Sequence, residues 1–280
     1  MLASAALILV LGATPSAAAP PAGAPPIVSM EWLQAHLNDP AVVVIDASGS
    51  AESFARGHIP RATGVLDHMA TLRDGHRAAD PASLVRVLAA AGARDDAHIV
   101  LYGDDGMSVG WMYGLFATLG HADHVSILDG NLAAWRAANH PVATGPAAPA
   151  AGKLSPRTPS APVTVDGAWV LQHLKDPKIR LADVRSDDEW NKGMIPGAVK
   201  VQWRDFYSNE AQGRLKTPAE LRKVFERAGV TDQTVVPYCA VGMRASLAYF
   251  AARAAGLPVL LYQGSMTDWE GRPGAPIKRQ

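Results

Sequence analysis

The only cysteine in 280 residues is Cys239, in the run "VVPYCAVGMRASLAYF" from Val235 to Phe250. Two β-branched residues lead into it, a short Gly-containing loop follows, and a helical run comes next. Cys239 therefore stands where a strand hands over to a helix. Gly242 reaches positive φ at no steric cost and lets the loop curl. A tight curl turns successive N–H groups inward and forms a nest for an anion, to which the following helix adds its positive end, with Ser246 in its first turn. Arg244 contributes a full charge whose guanidinium chelates an oxyanion. Such surroundings pull a thiol below its free pKa of about 8.5 and predict a thiolate nucleophile at neutral pH. A buried structural cysteine is the competing reading, and it requires neither the strand-end position nor the arginine.

The elements that hold this loop follow from the patterning around it. Trp169–Leu174, Pro218–Ala228 and Ala245–Ala255 read as helices; Ile179–Val184, Thr234–Tyr238 and Val259–Tyr262 read as strands. Strands alternating with helices of this length imply parallel pairing with helices on the sheet faces, an α/β fold. Ligands in such sheets bind beyond the carboxyl ends of strands, which is where Cys239 falls.

The chain also repeats itself. "VSMEWLQAHLNDPAVVVIDAS" from Val28 aligns with "VDGAWVLQHLKDPKIRLADVR" from Val165, and "GHIPRA" from Gly57 aligns with "GMIPGA" from Gly193. "HIVLYGDDGM" then aligns with "QTVVPYCAVGM", and "ILDGNLAAW" with "LYQGSMTDW". The offset is nearly constant, so whole domains are duplicated. Residues 27–143 and 163–277 form the two copies; the Pro- and Ala-rich segment 144–162 reads as an extended linker. In the first copy Gly103 stands at the cysteine's place, Asp104 and Asp105 replace Ala240 and Val241, and Ser108 replaces Arg244. Carboxylates there repel a thiolate and an anionic donor, so that copy is expected to be inactive and to wall the cleft.

Composition narrows the partners. The chain is 48% hydrophobic and 19% charged, with 26 basic and 26 acidic residues and no long basic run. Cores can form, and neither nucleic acid nor an anionic membrane surface has electrostatic support. Residues 1–19 carry a short apolar stretch, Ala5–Leu11, followed by small residues, and read as a secretory signal peptide rather than a membrane span of roughly 20 residues. The expected location is periplasmic or secreted, with no membrane attachment after signal removal, or cytoplasmic if this segment is not a signal peptide. A lone cysteine in an exported chain cannot form an internal disulfide, so its thiol is either buried and inert or free for chemistry. His121 and His124 lie in "GHADHV", with His58, His68 and His76 upstream, but no Cys-x-x-Cys or His-Glu-x-x-His accompanies them. No glycine-rich phosphate loop appears either, so no metal or other cofactor is expected.

The loop "YCAVGMRAS" resembles the active-site loop of rhodanese-type sulfurtransferases, and "LADVRSDDEWNKGMIPGAV" resembles the family's Asp-x-Arg segment with its Gly-His-Ile-Pro-Gly-Ala signature, here with Met194 for His. "RGHIPRA" keeps that histidine as His58, and "VSILDGNLAAWRAANHPV" and "VLLYQGSMTDW" resemble the segments that close each domain. The likeness runs over residues 27–277, in the order of the tandem thiosulfate and mercaptopyruvate sulfurtransferases. It implies two rhodanese-like domains, each a parallel sheet flanked by helices, and a mechanism in which Cys239 takes the outer sulfur of a small anionic donor as a persulfide. A thiophilic acceptor then removes it. Ala240, Val241, Gly242 and Met243 cradle that sulfur, Arg185 reaches the donor's oxyanion, Arg244 is a second anion holder, and Asp183 and Glu189 brace the loop. Trp203 and Tyr238 are packing residues by default. The family's thiosulfate enzymes have Lys two residues after the cysteine and its mercaptopyruvate enzymes a hydroxyl; Val241 is neither. Mercaptopyruvate enzymes also carry a second Arg where this chain has Met194, so thiosulfate is the expected donor and mercaptopyruvate the alternative. Cysteine phosphatases share the fold but need one more residue before their Arg, a place held here by Ala245. A non-turnover sulfur carrier is the remaining alternative.

Overall fold

The computed structural model describes residues 24–73, 77–147 and 152–279; the expected signal segment, His76 and part of the linker lie outside these residues. The first half builds a five-stranded sheet from β1 (Ile27–Val28), β2 (Val42–Asp46), β3 (Ala62–Val65), β6 (His98–Tyr102) and β7 (Val125–Leu128), in the order β1-β7-β6-β2-β3. Every pairing in it is parallel, with Val44 opposite Val100 and Ile99 opposite Val125. The central strand β6 is buried along its whole length, as a parallel strand covered on both faces must be. Helices α1 (Met30–His36), α2 (Ala51–Arg56), α3 (Pro81–Ala90), α4 (Gly106–Thr118) and α5 (Leu132–Ala137) supply the covers.

The second half repeats the plan with β8 (Ile179–Asp183), β9 (Val199–Lys200) and β12 (Thr234–Tyr238), ordered β12-β8-β9 and again parallel. Its helices are α6 (Gly167–Gln172), α7 (Asp187–Lys192), α8 (Pro218–Arg227), α9 (Met243–Ala254) and α10 (Ser265–Glu270). The sequence announces several of these starts: Thr217, Pro218 and Glu220 make a capping box, as do Ser186 and Glu189. Strand β12 falls on the residues expected for it. Val259–Tyr262 does not form a continuous strand and is reduced to isolated bridges, Val235 to Val259 and Thr164 to Leu261. The cause is Pro237. Val235 donates to Pro258 and Leu260 donates back to Val235, but the next bond in that ladder needs an N–H that Pro237 lacks.

Each half adds a short antiparallel hairpin, β4 (Leu72–Arg73) with β5 (Arg77–Ala78), and β10 (Tyr207–Asn209) with β11 (Arg214–Leu215). The halves meet along α4 and α9, the two helices that follow the duplicated loops. Both are buried around almost their whole circumference, which explains the lack of a polar face on either. Contact is close because Gly110 has no side chain; a Cβ there would lie 2.6 Å from Leu247 Cα. The second hairpin is pinned to the first half: Arg214 Nη1 donates to the Asp129 carbonyl and carboxylate at 3.0 and 3.2 Å, and Leu215 N donates to Asp129 Oδ1 at 2.8 Å. Among the described residues no helix is long and apolar enough to cross a membrane.

Candidate active site

Cys239 follows β12 directly and is 1% exposed. Gly242, at the N-terminus of α9, has φ 100° and turns its N–H back to Cys239 Sγ at 3.1 Å. The curl expected of Gly242 is therefore present and aimed at sulfur. Ser246 does not face an anion: its N–H and its hydroxyl both donate to the Gly242 carbonyl, each at 2.9 Å, which locks the curl from inside the helix.

The loop is tied down from below by residues that patterning alone left unnamed. Cys239 N donates to Ser265 Oγ at 3.0 Å, and that hydroxyl lies 3.9 Å from Sγ and donates to the Tyr262 carbonyl. Met266 N holds the Cys239 carbonyl, and Thr267 holds the Ala240 carbonyl through both N and Oγ1. Ser265 has φ 55° and is fully buried, a conformation that costs a non-glycine residue about 1 kcal/mol or more and persists only where surrounding bonds dictate it. The repeat carried the signal: Gly264–Ser265 aligns with Gly130–Asn131, which likewise stands at the start of a helix.

Both arginines are engaged with carboxylates. Arg244 presents Nη1 and Nη2 to Glu189 at 2.6 and 2.8 Å. Glu189 Oε2 also accepts from Ser186 N and Oγ, so one carboxylate joins the start of α7 to the start of α9 beyond the cysteine loop. Arg244 and these Ser186 donors hold its carboxyl down at about 2. Arg185 is buried; its Nε and Nη2 grip Asp183, Nη2 also donates to the Gly193 carbonyl, and its guanidinium lies over the Tyr238 ring. Asp183 and Glu189 are the carboxylates of these two ion pairs. Tyr238 accepts from Ile195 N at 3.1 Å and is fully buried, as is almost all of Trp203, so both pack rather than line an opening. Ala240 and Met243 are partly covered, and Val241 is the open lip of the loop, 38% exposed.

The first copy closes the equivalent loop. Gly103 offers no nucleophile, and Asp105 caps α4 by accepting from Met107 N and Ser108 N at 3.1 and 3.2 Å. Its carboxylate takes the helix end that an anion would otherwise use. Tyr207 from the second half reaches over Gly106 so closely that a side chain there would collide with its hydroxyl. Two of these histidines have backbone partners: His58 Nδ1 pairs with the Phe54 carbonyl and His121 Nε2 with the Ser155 carbonyl. No group of three or more potential metal ligands occurs among the described residues.

A buried thiol at a strand end, a glycine N–H on its sulfur and a duplicated parallel fold define one class. The rhodanese-like domain model matches residues 29–138 and 166–272, and the chain belongs to that family as a tandem member. A probable 3-mercaptopyruvate sulfurtransferase of Pseudomonas aeruginosa is 31% identical, over 90% of this chain and 97% of that one. The sulfur carrier protein TtuD of Thermus thermophilus is 29% identical over 90% and 96%, and a putative thiosulfate sulfurtransferase of Saccharopolyspora erythraea 28% over 90% and 95%. Among solved structures, the 3-mercaptopyruvate sulfurtransferase SseA of Escherichia coli superposes with a TM-score of 0.75 at 25% identity, covering 86% of this chain and 99% of that one.

Proposed function

We propose that the chain moves the sulfane sulfur of thiosulfate to a thiophile such as cyanide or a thiol through a persulfide on Cys239. The observation that carries this reading is the Gly242 N–H on Cys239 Sγ at 3.1 Å, in a loop fixed by Ser265, Met266 and Thr267. Cys239 thiolate attacks the outer sulfur of the donor, the S–S bond breaks and sulfite leaves with its electron pair. The persulfide sits in the curl beneath Ala240, Val241, Gly242 and Met243, and the acceptor removes its outer sulfur. The donor's charge is met by loop N–H groups and the positive end of α9, with Arg185 and Arg244 holding the oxyanion while shared with Asp183 and Glu189. Residues 163–277 carry the chemistry, residues 27–143 wall the cleft, and 144–162 link them.

The donor assignment rests on Met194, which is 3% exposed and stands where a carboxylate donor would need a second arginine. The mercaptopyruvate names of the Pseudomonas and Escherichia relatives favour the second reading, in which an enolate leaves in place of sulfite. The Thermus relative's name favours a third, a carrier that loads sulfur without turning over on small thiophiles. Steady-state transfer to cyanide from each donor separates them. Faster turnover with thiosulfate is expected; faster turnover with mercaptopyruvate replaces the first reading with the second. Loading without multiple turnover selects the third.

A further inference from the structure

The formal charges around Cys239 cancel within the protein. Arg244 is answered by Glu189 and Arg185 by Asp183, each within hydrogen-bond distance, so two cations face two anions. The rim from Ala240 to Met243 carries no ionisable side chain. Its backbone is not open to a visitor at Cys239 or Ala240, whose carbonyls are taken by Met266 and Thr267. What the rim does present is Val241. It is one of two large apolar side chains exposed among the described residues, the other being Met69 in the first half. Cys239, two residues before it, is almost wholly covered, so Val241 is the exposed apolar side chain of the loop that holds the sulfur.

Resting on the persulfide reading above, we propose that Val241 selects among thiol acceptors, and that the preferred one is a thiol flanked by uncharged, apolar surface rather than one that carries a carboxylate. A carboxylate carried beside the acceptor's sulfur finds no ionisable side chain on the rim to answer it, whereas an apolar flank gains by covering the exposed valine. Covering that partial exposure is worth about threefold to fivefold in the acceptor's second-order rate. The step itself balances. The acceptor thiolate attacks the outer sulfur of Cys239–Sγ–S, an S–S bond forms on the acceptor as the Sγ–S bond breaks, and that bond's electrons return to Sγ. Cys239 ends as a thiolate and the acceptor as a persulfide; the acceptor's proton goes to solvent, and no oxidant or reductant is consumed.

The test separates loading from discharge. The full chain is loaded with sulfur from thiosulfate or mercaptopyruvate, desalted, and checked for the persulfide by intact mass. Discharge is then timed with propanethiol, 2-mercaptoethanol, mercaptoacetate and cysteamine at low and high salt, each rate corrected for the fraction of thiolate. In the wild type the order is propanethiol, then mercaptoethanol, then mercaptoacetate, with little dependence on salt. Val241→Lys brings mercaptoacetate to the front by about tenfold and makes its rate salt-dependent. Val241→Thr, nearly the same shape, removes the preference for propanethiol without adding charge. Mercaptoacetate leading on the wild type, or an order unchanged in Val241→Lys, overturns the proposal while leaving the persulfide intact. A chain that loads from neither donor overturns the persulfide reading and this proposal with it.

Discussion

Replacing Gly242 with alanine strikes the site at one backbone position, and its cost can be worked from the geometry. At φ 100° a side chain is strained, which costs about 1–2 kcal/mol. A Cβ at Gly242 would also lie 2.5 Å from the Gln263 carbonyl oxygen, where ordinary contact begins at 3.4 Å. Backbone on both sides resists, so the loop must retreat by the better part of an ångström. The Gly242 N–H now sits 3.1 Å from Cys239 Sγ, and such a shift breaks that bond. A hydrogen bond to a charged partner is worth about 1.5–3 kcal/mol, or about 10- to 150-fold in rate if the thiolate or persulfide loses it. Gly256 is the control: φ is 71° with nothing within 4 Å, so alanine there carries the strain without the collision. Single-turnover persulfide formation and urea unfolding should be compared for both variants. Gly242→Ala should lose both stability and sulfur loading, and Gly256→Ala only stability. Equal loading in the two would refute the role given to the Gly242 N–H.

Three further outcomes follow from other buried polar groups. His98 is buried, and burial, with nearby His124, lowers its pKa from 6.5 to about 4. Because the unfolded chain takes up that proton first, stability is lost as pH falls from 6.5 towards 4, by up to about 3 kcal/mol, and His98→Gln should flatten this limb in urea titrations. Tyr207 buries a hydroxyl that has no protein partner, so Tyr207→Phe should leave stability unchanged or slightly raised. Tyr238→Phe strands the Ile195 N–H and should cost about 1–3 kcal/mol in the same assay.

Much of the site was legible in the chain because its signals are local. The strand into Cys239, the curl at Gly242 and the duplicated halves depend on neighbours in sequence, and the structure contains each of them. That Arg185 and Arg244 have carboxylates within reach, Asp183 and Glu189, was legible in the chain. The sharing of Glu189 between Ser186 and Arg244 was not, because it joins residues distant in sequence. Ser265 escaped notice for the same reason, since neither its contact with Cys239 N nor its positive φ leaves a periodic trace. The broken ladder at Val259–Tyr262 could have been read from Pro237, but only with the register against Leu260 already known. Tyr207 over Gly106 depends on how the halves pack, and no pattern within either half encodes it.

The central claim is that sulfur passes through Cys239. Intact-mass measurement after exposure to thiosulfate, with cyanide added in a second step, tests it most directly. The account predicts that the wild type gains one sulfur atom, surrenders it to cyanide as one equivalent of thiocyanate, and that Cys239→Ala gains none. An alanine variant that still takes up that sulfur, or releases thiocyanate at the wild-type rate, would contradict it.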